Sequence, residues 1–118
     1  MNLSGRELDV MNVLWERGSA TVAEVLEDLQ DELAYTTVLT ILRRLEEKGR
    51  VRHEANGKAH RYLPMVQREE VQDSALRRIT RRLFLDSPRL LMSRLLEEGE
   101  LTEEQMRELR ELLDQRLE

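Results

Sequence analysis

The periodicity of this chain switches once and then switches back, which constrains its fold more than any single motif. Apolar residues recur at helical spacing up to Gly49, alternate with polar ones around Asn56-Gly57, and return to helical spacing from Gln67. A capping box, Ser4-Gly-Arg-Glu7, starts a first helix that carries Leu8, Met11, Leu14 and Trp15 and stops at Arg17-Gly18. Trp15 reads as a core anchor, since tryptophan is largely buried on average. A second box, Thr21-Val-Ala-Glu24, opens a helix that buries Val22, Val25, Leu26 and Leu29 and ends near Asp31. A third helix runs from Ala34 to Lys48 and is closed by Gly49. Only a few residues separate the second helix from the third, as in a helix-turn-helix. Val51–Ala55 and Ala59–Leu63 then read as the strands of a hairpin, with Asn56 and Gly57 both taking positive φ at its turn.

Beyond the hairpin, Val71, Ala75 or Leu76, Ile79 and Leu83 stripe a fourth helix. Ser87-Pro88 starts a fifth, which bears Leu90, Leu91, Met92, Leu95 and Leu96 and stops at Gly99. A third box, Thr102-Glu-Glu-Gln105, opens a sixth with Met106, Leu109, Leu113 and Leu117 on one side. The expected fold is mainly α with a small β-hairpin. It comprises a winged helix-turn-helix DNA-binding domain over residues 1–65 and a C-terminal helical dimerisation region over residues 66–118. The last helices have no obvious local core, and exposed apolar surface of that kind finds a partner. Leu91, Leu95, Met106, Leu109, Leu113 and Leu117 are therefore expected to form a twofold homodimer. Docking of the sixth helix on its own chain is the alternative.

The third helix is where the sequence points to function. Val38, Ile41, Leu42 and Leu45 gather on one side of it. Thr36, Thr40, Arg43 and Glu47 gather opposite, with Thr37 and Arg44 on their flank. Threonine is a poor helix former, stiff at its β-carbon. Three threonines within five residues of a solvent face, followed by two arginines, need a reason, and DNA supplies one. Short hydroxyl and methyl groups reach base edges in a major groove, and arginine reaches guanine or phosphate. On the helix alone, an ordinary amphipathic helix with incidental threonines stays open.

Charge supports the DNA reading locally. The chain totals −5, yet residues 35–65 carry seven basic side chains against three acidic ones, with His53 and His60 beside them. Residues 95–118 carry three arginines against nine acids. A local basic patch matters more for phosphate binding than the whole-chain sum. Lys58 stands at the hairpin tip with His60 and Arg61 just after it, placed to lie against the backbone or minor groove of double-stranded DNA. The candidate contacts are thus Thr36, Thr37, Thr40, Arg43, Arg44, Lys58, His60 and Arg61. Arg77, Arg78, Arg81 and Arg82 of the fourth helix either add phosphate contacts or form a solvated face.

Several classes of function are excluded or disfavoured. Cysteine is absent, which removes disulfides, thiolate metal clusters and cysteine nucleophiles together. No apolar run spans a bilayer and no secretion signal is visible, so no membrane insertion and a cytoplasmic location are expected. His53 and His60 lack the acidic or cysteine partners of a metal site. There is no glycine-rich phosphate loop and no visible triad, and Ser4, Ser19, Ser87 and Ser93 read as caps or turns. No enzyme activity, cofactor or metal is expected.

In order and spacing, these pieces resemble the BlaI/MecI/CopY family, the penicillinase-repressor type of bacterial transcription regulator. The resemblance covers nearly the whole chain. It rests on Leu3-Ser-Gly-Arg-Glu-Leu-Asp-Val-Met-Asn-Val-Leu-Trp15, on Thr21-Val-Ala-Glu-Val25, on Tyr35-Thr-Thr-Val-Leu-Thr-Ile-Leu-Arg-Arg-Leu-Glu-Glu-Lys-Gly49, and on the hairpin ending Tyr62-Leu-Pro64. It implies a dimer that binds a palindromic operator through helix 34–48 and a wing at Asn56–Arg61, and so blocks transcription. In the penicillinase branch, which regulates antibiotic resistance, a regulatory protease cuts within the C-terminal helices and releases the DNA. The matching place here is Arg94-Leu95, where the best-known members carry Asn-Phe. In the copper branch, C-terminal cysteines bind metal, and this chain has none. Two other readings remain: a winged-helix protein-interaction module, and a small-molecule-responsive repressor of the multiple-antibiotic-resistance type. Aromatic pocket walls are usual in the latter, and aromatics are scarce here.

Overall fold

Side-chain oxygens set most of the helix starts. In the computed structural model, which describes residues 3–118, the order is α1 (Gly5–Arg17), β1 (Ala20–Thr21), α2 (Val22–Asp28), α3 (Tyr35–Glu47), β2 (Val51–Asn56), β3 (Ala59–Pro64), α4 (Arg68–Leu83), α5 (Pro88–Glu98) and α6 (Glu103–Leu117). The Glu7 amide donates to Ser4 Oγ, and the Ser4 amide donates back to the Glu7 carboxylate. Thr21 with Glu24, and Thr102 with Gln105, repeat that reciprocal arrangement at α2 and α6. Ser87 caps α5 through the Leu90 amide, with Pro88 in the first turn.

Three details differ from the sequence reading. First, α2 ends at Asp28, and Leu29 is already extended. The 22, 25, 26, 29 spacing cannot separate a last helical residue from one just past the end. Leaving the helix early lets both Leu29 and Leu33 pack against the core. Second, the hairpin loop is Gly57-Lys58 rather than Asn56-Gly57, because Asn56 pairs with Ala59. Gly57 has φ +64°, while neither Asn56 nor Lys58 has positive φ. Glycine at the first central position is the requirement of a type II′ turn, whose twist suits the strands as well as type I′ does. Third, β1 was not visible in the sequence. It pairs Ala20 with Tyr62 and Thr21 with Arg61, giving an antiparallel sheet in the order β1-β3-β2. Two residues are too few to show alternation.

The chain divides into two units, one ending at Ala75 and one spanning Leu76–Glu118. The core of the first is built by Val10, Met11 and Leu14 of α1, Val25 of α2, Val38, Leu42 and Leu45 of α3, and Val51 and Tyr62 of the sheet. Trp15 lies at its margin, half-buried. Its Nε1 donates to the Val66 carbonyl (2.9 Å), and the Arg68 guanidinium sits 5.2 Å from its ring centre. In the second unit, Leu85 and Asp86 take positive φ to reverse the chain between α4 and α5. Gly99 ends α5 where a Cβ would run into the Leu95 carbonyl oxygen. Neither α5 nor α6 buries a residue. An apolar groove of about 720 Å³ opens on this unit, lined by Leu76, Leu91, Met92, Leu95, Leu101 and Leu109 among others. Leu113 and Leu117 are 58% and 82% exposed. Among the described residues, no helix is long and apolar enough to cross a membrane.

Candidate nucleic-acid interface

α3 divides its faces as the sequence indicates. Val38, Leu42 and Leu45 are fully sealed and Ile41 nearly so, whereas Thr36, Thr37, Thr40, Arg43 and Arg44 are exposed. Burying the aliphatic stripe holds the helix, so its outer face is free to carry residues chosen for something other than helix propensity. The Thr40 hydroxyl donates to the Thr36 carbonyl one turn back (2.9 Å). That bond uses the hydroxyl hydrogen inside the helix. The methyl group and the oxygen lone pairs remain available at this exposed position. The start of α3 also differs from those of α1, α2 and α6. Ala34 provides no side-chain cap, and no acid lies in the first turn. The positive end of the helix dipole is therefore not neutralised from within.

The cations around this helix fall into two groups. Among the described residues, no ion pair or hydrogen bond holds Arg43, Arg44 or Lys58, and all three are exposed. Arg61 is committed elsewhere. Its guanidinium lies 3.0 Å from Glu24 Oε1 and donates to Ser19 Oγ at 3.2 Å. The Thr21 amide, joined by Arg61 and Arg17, holds the Glu24 carboxyl below the usual carboxylate range against the opposing effect of burial. Lys48, at the end of α3, is likewise engaged, with Nζ 2.9 Å and 3.0 Å from the two oxygens of buried Glu7. Burial pushes the Glu7 carboxyl up, but the Ser4 amide and the Lys48 ammonium outweigh it and hold it below its ordinary value. Seven of the eight sequence-derived contacts are thus exposed around α3 and the hairpin, while Arg61 braces the root of β3 against α2.

A cluster at the junction of α3 and the hairpin escaped the sequence reading. His53 on β2 meets Glu46 on α3, with Nδ1 2.6 Å from Oε2. A carboxylate only accepts, so Nδ1 carries the hydrogen. The His53 ring stacks on His60 of β3, centres 4.3 Å apart and planes 12° apart. Tyr62 lies 5.7 Å from the His53 ring. Burial, together with the nearby Glu46 carboxylate, raises the Tyr62 phenol, while Arg43 acts in the opposite direction. The signal for the stack was present in the strand pattern, because positions 53 and 60 share a face. The link to Glu46 depends on how α3 lies against the sheet, which no local pattern shows.

With this geometry established, comparisons with known proteins place it. The family model described as penicillinase repressor matches residues 3–115. Over 115 residues, 96% of the chain and 90% of the relative, the sequence is 26% identical to the penicillinase repressor of Bacillus licheniformis. Over 72 residues, 58% of the chain and 52% of the relative, it is 43% identical to the transcriptional regulator BlaI of Mycobacterium tuberculosis. Its structure is similar to the solution structure of monomeric BlaI from Bacillus licheniformis in complex with the blaP half-operator, with a TM-score of 0.51. That alignment is 30% identical and covers 59% of this chain and 88% of the other.

Proposed function

Because the chain belongs to the penicillinase repressor family of transcriptional regulators, we propose that it is a dimeric repressor that binds a palindromic operator through α3 and the β2–β3 wing. The observation that carries this reading is the pairing of an exposed Thr36, Thr37, Thr40 face with three cations, Arg43, Arg44 and Lys58, that no ion pair or hydrogen bond holds among the described residues. The BlaI relative bound to its half-operator supports the same role for the matching elements here.

In this reading the threonines meet base edges in the major groove, and Arg43 and Arg44 meet guanine or phosphate. Lys58 reaches the backbone beside them. One winged domain makes few phosphate contacts. Joining two through residues 66–118 makes the second half-site an intramolecular event, worth about 10²–10⁴ in apparent affinity. The apolar groove of the second unit and the exposed stripe of α6 supply surface for that joining. Whatever separates the protomers releases the operator. Proteolysis at Arg94-Leu95 is one route, as in antibiotic-resistance regulation. Both residues are exposed within α5, and Arg94 lies 3.7 Å from each of Glu97 and Glu98, so a protease has to open the helix there. Such a regulator works in the cytoplasm.

Selection of bound fragments from a random double-stranded pool at near-physiological salt tests the proposal. Enrichment of a palindrome with half-sites about one helical turn apart supports a dimeric operator binder. Absence of enrichment, from protein shown to be folded and dimeric, refutes it.

A further inference from the structure

The wing is poorly supported by the core. Every residue of β2 after Val51 is exposed, and β1 pairs only with Arg61 and Tyr62. A two-stranded ribbon is marginal by itself, so the aim of its tip has to come from side chains. Among the described residues, one hydrogen bond joins the side chains of α3 to those of the hairpin, the bond between His53 and Glu46. His53 passes that support on, because His60 lies flat against its ring. The order is a carboxylate on the reading helix, an imidazole on β2, and a second imidazole on β3 just past the tip that carries Lys58.

We propose that Glu46 and His53 are positioning residues for operator binding: their hydrogen bond braces the wing against the recognition helix and holds His60 and Lys58 at the DNA-facing edge. This rests on the repressor reading above. Neither brace residue is asked to touch DNA. The groups facing His53 are Glu46 from α3 and His60 and Tyr62 from β3, and Arg43 of α3 acts on Tyr62 beside them. Arg52 and Glu54 lie on the opposite side of the pleat and pair with each other at 2.6 Å. Protonating His53 turns the brace into a charge-assisted hydrogen bond. It also adds positive charge beside the DNA. Operator binding therefore tightens when His53 gains its proton. The stacked pair limits the effect, because two adjacent imidazolium rings repel.

The test measures affinity of the full chain for the duplex recovered by selection, as a function of pH. Glu46→Ala and His53→Ala are each expected to weaken it about fivefold per half-site, the worth of one net hydrogen bond, or roughly thirtyfold for the dimer. The double variant should lose no more than either single one, and Glu46→Gln, which keeps an acceptor, should recover part of the loss. His53→Ala should flatten the pH profile. Melting temperatures should hardly move, since all the atoms removed are near the surface. In the free protein, the His53 ring nitrogen signals should shift in Glu46→Gln. Additive losses, an unchanged pH profile in His53→Ala, or affinity that falls only in step with melting temperature would overturn the inference. If wild-type protein retained no duplex, the repressor reading itself would fail. The ring signals, recorded without DNA, would still decide whether the brace exists.

Discussion

Thr40 offers a test in which stability and binding move in opposite directions. Its hydroxyl hydrogen is already donated to the Thr36 carbonyl, so what remains available is chiefly a methyl group. Burying one such group against a base is worth about 0.8 kcal/mol. A dimer presents two copies, so Thr40→Ala should lose about 1.6 kcal/mol, or roughly fifteenfold in affinity for the selected operator. Affinity for random DNA depends on phosphate contacts and should stay unchanged. Alanine is the better helix former by several tenths of a kcal/mol, and the lost side-chain bond only competed with the helix. The melting temperature should therefore hold or rise by about 2 °C. Thr40→Val keeps the branched shape without the hydroxyl and should bind more nearly like wild type than Thr40→Ser does. Fluorescence anisotropy on operator and random duplexes, with thermal melts of the same samples, measures all of this. Equal losses on both duplexes would show that Thr40 does not read bases. A serine variant that binds better than the valine one would show that the hydroxyl is the reading group.

Lys58→Ala should weaken operator and random DNA alike and lower the salt slope by about one unit per copy, read from affinities at several salt concentrations. Arg61→Ala should leave that slope unchanged and instead lower the melting temperature, because Glu24 loses one of its two arginine partners. Glu7 links pH to stability. Its folded carboxyl titrates below the ordinary value of 4.5, so its contribution is complete above about that pH and is lost as pH falls through the lower folded value. Glu7→Gln should lose about 1–2 kcal/mol at neutral pH and show a shallower acid decline than wild type in denaturant melts. Leu113→Asp, at a site more exposed than Leu109, should yield monomers in sedimentation without unfolding the chain. A dimer that persists at low micromolar concentration would place the interface elsewhere.

Much of this protein was legible one segment at a time. Ser4, Thr21 and Thr102 mark helix starts because a capping box needs only residues three apart. The aliphatic and threonine-arginine faces of α3 follow from helical period alone. His53 and His60 share a face in either turn register. The observed Gly57-Lys58 loop sets Tyr62 opposite His53 and moves His60 two pairs along, opposite Ala55. Capping, period and strand parity are properties of neighbours along the chain, so the sequence by itself determined them. Tertiary structure alone decided where α2 gives way to an extended Leu29, that Ala20 and Thr21 become a strand, that Arg61 is taken by Ser19 and Glu24, and that Glu46 reaches His53. Each of these depends on how separate elements come to lie against one another as the core closes around Leu14, Leu42 and Tyr62, and packing of that kind leaves no trace in local spacing.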